Sequence, residues 1–160
     1  MTVRDATPAD YAAIRPIVAA AFGRDMEADI VEGVRAEGAV LVELVAEDGR
    51  VEGHVLFSRM RCDPPKLVAG MGPVSVLPER QDAGLGGAMI RAGIEACRAA
   101  GCEAIVLLGH PTYYPRFGFS AETARAIVSP YAGSPAFMAM ELKPGALAQP
   151  IRIDFPAAFG

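Results

Sequence analysis

The sequence predicts an α/β (α+β) domain: a mixed sheet with helices on both faces. Three observations predict it. Strand-type and helix-type periodicity follow one another in the order β-α-α-β-β-β-α-β-α-β. An Asp48-Gly49 pair joins two apolar runs as a hairpin turn. Between Gly72 and Met89 a strand passes through a polar turn into a helix whose opening is made of glycines. At 160 residues, with 52% hydrophobic and 21% charged side chains, the chain is long enough to bury a core and fits one domain.

The elements follow in order. Thr2 to Ala6 reads as a short first strand. Thr7-Pro8-Ala9-Asp10 supplies an N-cap with proline at the first helical position. The helix then runs to about Phe22, with Tyr11, Ile14, Ile17, Val18 and Ala21 at helical spacing. A second helix covers Asp25 to Glu37, with Met26, Ile30, Val31 and Val34 on one face, and Gly38 ends it. Strands follow over Val40 to Glu47, Val51 to Met60 and about Leu67 to Val76. The helix from Gly84 to Ala100 places Leu85, Met89, Ile90, Ile94 and Cys97 on one side, and Gly101 closes it. Ala104 to Leu108 is a buried-type strand. A short turn or helix at Pro111 to Phe117 and a late strand near Ala136 to Leu142 complete the core, about residues 2–143. The proline-containing tail, residues 144–160, is expected to wrap the surface.

Composition narrows the function. The formal net charge is −4 and no Lys/Arg run stands out, which argues against nucleic-acid partners. Cys62, Cys97 and Cys102 fit no zinc spacing, and Cys97 lies on the buried stripe of its helix. The first residues carry no apolar signal core, and no run approaches the ~20 residues of a membrane span. The default expectation is a cytoplasmic protein without membrane or metal partners.

The glycine turn carries the chemistry. Helix N-termini offer unpaired N–H groups and partial positive charge, so they hold phosphate oxygens. A P-loop needs Lys-Ser/Thr after its glycines, and none follows here. A dinucleotide fingerprint needs a third glycine where Met89 stands. What remains is Gln81-Asp82-Ala83-Gly84-Leu85-Gly86, a Gln/Arg-x-x-Gly-x-Gly/Ala pattern after Val76-Leu77-Pro78. Further on, Tyr113-Tyr114-Pro115-Arg116-Phe117-Gly118-Phe119 looks like a Tyr-x-x-x-Gly-Phe segment. On these two motifs and the element order, the chain resembles the GNAT superfamily of acyl-CoA N-acyltransferases over about residues 2–143, with their mixed, mainly antiparallel sheet.

The resemblance implies acetyl-CoA as co-substrate and transfer of its acetyl group to a primary amine. The pyrophosphate would rest on backbone N–H groups from Gln81, Asp82, Ala83, Gly84, Leu85, Gly86 and Gly87, with Arg80 either neutralising a phosphate or solvated. The pantetheine arm would pair with Val74, Ser75 and Val76 where that strand parts from the next. The N–H of Val74 or Val76 would then polarise the thioester carbonyl. Pro73 fits an interrupted ladder. Tyr114, four residues before Gly118, is the implied general acid for the leaving thiolate, with Tyr113 as its rival by one register.

A base is also needed, and the strand Leu67 to Val76 carries no carboxylate. Glu27, Glu43 and His110 are candidates, as is ordered water, while His54 reads as structural. Phe22, Gly23, Arg24, Asp25 and Glu27, at the joint of the first two helices, are a candidate acceptor rim. The acceptor would be a small-molecule or peptide amine, and the protein a monomer or homodimer. The rival reading is a non-catalytic acyl-CoA-binding module on the same fold.

Overall fold

A computed structural model describes residues 1–160. Its first half runs β1 (Thr2–Asp5), α1 (Tyr11–Phe22), α2 (Met26–Ala36), β2 (Val40–Asp48), β3 (Arg50–Arg59), β4 (Arg61–Asp63) and β5 (Val68–Val76). Its second half runs α3 (Leu85–Ala99), β6 (Ala104–Leu108), β7 (Ile127–Val128), β8 (Phe137–Glu141) and β9 (Ile151–Asp154). Six strands form one sheet in the order β1-β2-β3-β5-β6-β8. Every pairing in it is antiparallel except β5 with β6.

Helix α3 packs on one face of this sheet. Its apolar stripe, Leu85, Met89, Ile90, Ile94 and Cys97, meets Phe57, Ile105 and Phe119 in the largest core cluster. Gly93 lies on the same stripe because the Phe57 ring occupies the space a Cβ would need. Helices α1 and α2 cover the opposite face, where Ile14, Val18 and Ala28 meet Val45, and Val31 and Val34 meet Leu56. Under α2 sits a buried polar group: Arg35 bonds Glu43 (Nη2–Oε2 2.6 Å), and His54 Nε2 lies 2.7 Å from the same oxygen. Burial alone would push the Glu43 carboxyl up. The hydrogen bonds from His54 and Arg35 hold it below the ordinary glutamate value.

The decisive irregularity lies in β5. Val74 pairs with Val55 and Met71 with Phe57, so Gly72 and Pro73 together oppose the single residue Leu56. This is a β-bulge. Gly72 takes φ +139°, a region side chains rarely adopt, and Pro73 has no N–H to offer a ladder. On its other edge β5 pairs with β6 only through Val68, Ala69 and Gly70. Beyond Gly70 the two strands part and leave a wedge.

The tail departs from expectation. Instead of wrapping the surface, it supplies β9, the middle strand of a second sheet ordered β4-β9-β7. Ile151 and Ile153 are buried with Met60, Val106, Ile127 and Leu147 in a core of their own. The alternation Ile-Arg-Ile-Asp is a strand pattern, and the neighbouring prolines masked it. Ile153→Ala is therefore expected to lower the unfolding free energy by about 2–4 kcal/mol in a urea titration. A change under about 0.5 kcal/mol, the size of an ordinary surface substitution, contradicts the tail's place in the core.

Candidate active site

Two cavities open at the wedge between β5 and β6. The larger, about 770 Å³, lies against the start of α3 and is lined by Val74, Val76, Gln81, Asp82, Gly84, Leu85, Gly86, Gly87, Tyr113 and Tyr114, among others. The smaller, about 420 Å³, lies on the α1–α2 side and is lined by Glu27, Gly72, Pro73, Gly109 and a set of apolar side chains. Phe22, Val74, His110 and Tyr114 line both, so the cavities meet at these residues.

The backbone in the wedge is aimed by the bulge. Leu77 donates its N–H to the Glu52 carbonyl (2.9 Å), so the antiparallel alternation turns the N–H and C=O of Ser75 toward β3 and those of Val74 and Val76 the other way, into the wedge. The Gln81 side-chain amide donates to the Val76 carbonyl (3.1 Å), which fits that direction. The Ser75 side chain is buried on the far face, so Ser75 lines neither cavity. Ala83 lines neither as well.

At the mouth of α3, Asp82 adopts φ +65° and Gly84 φ +88°. The first helical bond runs from Ala88 N–H to the Gly84 carbonyl (3.1 Å), which leaves the amides of Leu85, Gly86 and Gly87 without intrahelical acceptors. Three arginines and one aspartate line this cavity. Arg80 is engaged: its Nε lies 2.6 Å from Glu52 and its Nη2 3.3 Å from Asp48. Arg91, stacked over Phe117, and Arg116, over Tyr113, have no carboxylate partner. Bare amides, positive charge and three glycines without Cβ atoms fit a nucleotide diphosphate.

The two tyrosines stand in different places. The Tyr113 hydroxyl lies about 4.0 Å from the point a Cβ on Gly86 would occupy, on the phosphate side. Tyr114 lines the junction. Burial, with a smaller contribution from Tyr113, pushes its phenol above the ordinary tyrosine value. Its ring fills the space above Gly109 that a Cβ would need.

Of the acidic candidates, Glu27 lines the smaller cavity and is held by two bonds from Arg24 (2.9 and 2.6 Å), which keep its carboxyl below the ordinary glutamate value. Glu43 and His54 lie under α2 and line neither cavity. At the α1–α2 joint, Gly23 takes φ +69° as the cap of α1, and Asp25 faces Arg15 at 3.8 Å. Of that proposed rim, only Phe22 and Glu27 line the cavity.

The sequence model of the Acetyltransferase (GNAT) family matches residues 10–119. The chain belongs to the GNAT acetyltransferase family. It is 40% identical to the uncharacterised N-acetyltransferase YjhQ of Escherichia coli K12 over 117 residues, 69% of this chain and 64% of that relative, so the match spans less than two thirds of YjhQ. It is also similar to the crystal structure of the E. coli GNAT N-acetyltransferase YhbS in complex with CoA (TM-score 0.90, 29% identity, 99% of this chain and 91% of that one). A GNAT acetyltransferase of Brucella melitensis in complex with acetyl-CoA is similar too (TM-score 0.83, 37% identity, 99% and 97% coverage).

Within this GNAT fold, several cavity residues escape a reading of the motifs. Arg91 stands one helical turn after Gly87, and that i, i+4 spacing was the available signal. Arg116 sits inside the tyrosine motif. Tyr131, Phe155 and Phe159 line the smaller cavity from loops and the tail, and no local pattern marks them. Gly109 is a sharper test of the GNAT junction. Gly109→Ala is expected to displace the Tyr114 ring and to lower the unfolding free energy by about 1–3 kcal/mol in a urea titration. Unchanged stability in that variant contradicts the packing described.

Proposed function

We propose that this protein is an N-acetyltransferase that moves the acetyl group of acetyl-CoA to a primary amine by direct attack in a ternary complex. The observation that carries the reading is the shared wall of the two cavities. Phe22, Val74, His110 and Tyr114 face both, so donor and acceptor are held at once and meet there. A covalent relay through a cysteine or serine would need that residue at the wall. Cys62, Cys97 and Cys102 line neither cavity, and the only serine on β5, Ser75, is buried away from both. The CoA and acetyl-CoA complexes of the E. coli and Brucella structures support the choice of donor.

The residues divide the work. The amides of Leu85, Gly86 and Gly87, with Arg91 and Arg116, hold the pyrophosphate. The polar groups of Val74 and Val76 hold the pantetheine arm, and the Val74 N–H donates to the thioester carbonyl oxygen as negative charge grows on it. The amine lone pair forms the C–N bond while the C–S bond breaks. His110 first takes one proton from the ammonium to free that lone pair; Tyr114 gives its proton to the departing thiolate, and the proton the nitrogen sheds after attack returns to the Tyr114 phenolate. A phenol whose pKa is raised by burial keeps that proton through neutral pH, as an acid must.

Tyr114→Phe is expected to lower kcat by about 100-fold or more while the Kd for CoA stays within about threefold. A parallel fall in CoA affinity and activity contradicts the acid role. His110→Gln is expected to lower kcat/KM at neutral pH by about tenfold or more, with the loss shrinking at high pH, where the amine enters already deprotonated. An unchanged kcat/KM assigns the proton to solvent instead.

A further inference from the structure

The smaller cavity carries information about the acceptor, and this inference rests on the transferase reading above. Glu27 is the only aspartate, glutamate, lysine or arginine that lines it, and the rest of the lining is mainly apolar. Phe22, Leu108 and Tyr131 are three of the seven large hydrophobic residues left exposed in the whole chain, and all three line this one cavity. Exposed apolar surface gathered in a concavity marks a binding site for an apolar group.

The far wall is aromatic and fixed. Phe155 lies 5.0 Å from Phe159 and 5.8 Å from Tyr131, ring centre to ring centre. The segment bearing them is fastened at two points. Arg61 donates to the Phe155 carbonyl (Nε, 3.0 Å). The Glu37 carboxylate accepts the N–H groups of Ala157 (3.3 Å) and Ala158 (2.9 Å). Ala158 also sits against Gly33 of α2, with its Cβ 2.8 Å from where a Cβ on that glycine would be. The wall therefore stands ready before any ligand enters, which spares the ordering cost of closing over one.

We propose that the acceptor is a small primary amine carried on an aromatic body, and that residues 155–159 form the wall that selects it. The body stacks among Phe155, Phe159 and Tyr131. The ammonium is drawn to Glu27, whose two bonds to Arg24 fix its orientation and leave further lone pairs free. A cavity of about 420 Å³ suits one ring and a short alkyl chain. A polyamine would bring a second ammonium into a lining that offers no second carboxylate. An amino sugar would bury hydroxyls without partners.

The test follows thiol release from acetyl-CoA with 2-phenylethylamine, spermidine, glucosamine and an alanine-initiated hexapeptide. The kcat/KM for 2-phenylethylamine is expected to exceed each of the others by about tenfold or more. Phe159→Ala is expected to raise the KM for 2-phenylethylamine about tenfold and leave that for acetyl-CoA within about twofold. Phe159 is only half-buried, and Glu37→Ala, which releases the turn from α2, tests the same wall without touching it. It should shift the same KM in the same direction. A preference for spermidine, glucosamine or the peptide overturns the proposal and leaves the transferase reading standing. An unchanged KM in both variants, or equal shifts for both substrates, does the same. CoA uptake without thiol release from acetyl-CoA in the presence of any of the four amines overturns both.

Discussion

The parting of β5 from β6 is the constraint on which the site depends. A strand inside a sheet spends its amides on its neighbours. An unpaired amide in the interior costs about 1–3 kcal/mol, so a free strand edge persists only where water or a ligand reaches it. Here the ladder between β5 and β6 ends at Gly70, and the bulge at Gly72 and Pro73 follows at once. The bulge shifts the alternation by one residue. It therefore decides which amides face the wedge, and it selects Val74 and Val76 over Pro73, which has no N–H, and Ser75.

The remaining elements position groups around that edge. The apolar stripe of α3 docks it on the sheet so that its glycine mouth opens beside Val76. Strand β6 delivers Gly109 and His110 to the other side of the wedge. Because Gly109 has no side chain, Tyr114 can fold back to the junction. Helices α1 and α2 bring Phe22 and Glu27, and the β4-β9-β7 sheet presents the segment that bears Phe155 and Phe159. The two cavities also differ in charge. The cavity at α3 is lined by three arginines and one aspartate, and the smaller cavity by one carboxylate, Glu27, paired with Arg24. On the proposed reading, the anionic phosphates of CoA fall on the arginine side of the wall.

Much of this was legible in the chain because local physics dominates it. The α3 stripe, the Asp48-Gly49 hairpin, the Gly84 turn and the Pro73 interruption each follow from a backbone or periodicity rule that needs no knowledge of neighbours. What escaped depends on contacts distant in sequence. Arg80 looks like a phosphate ligand until Glu52 and Asp48 come beside it from across the hairpin. Glu43 looks like a base until α2 covers it and Arg35 binds it. The tail hides its strand because β9 pairs with β4, 88 or more residues earlier, and with a two-residue strand that has no signal of its own. The aromatic wall at residues 155–159 follows from that same long-range pairing.

The central claim is that free backbone amides at one strand edge and one helix mouth receive the donor. Amide-resolved NMR during titration with CoA tests it most directly. The account predicts that the N–H resonances of Val74, Val76, Leu85, Gly86 and Gly87 shift together in a saturable manner and exchange more slowly with solvent in the complex. Saturable binding that leaves those five amides unmoved, or no binding by the folded protein, would contradict it.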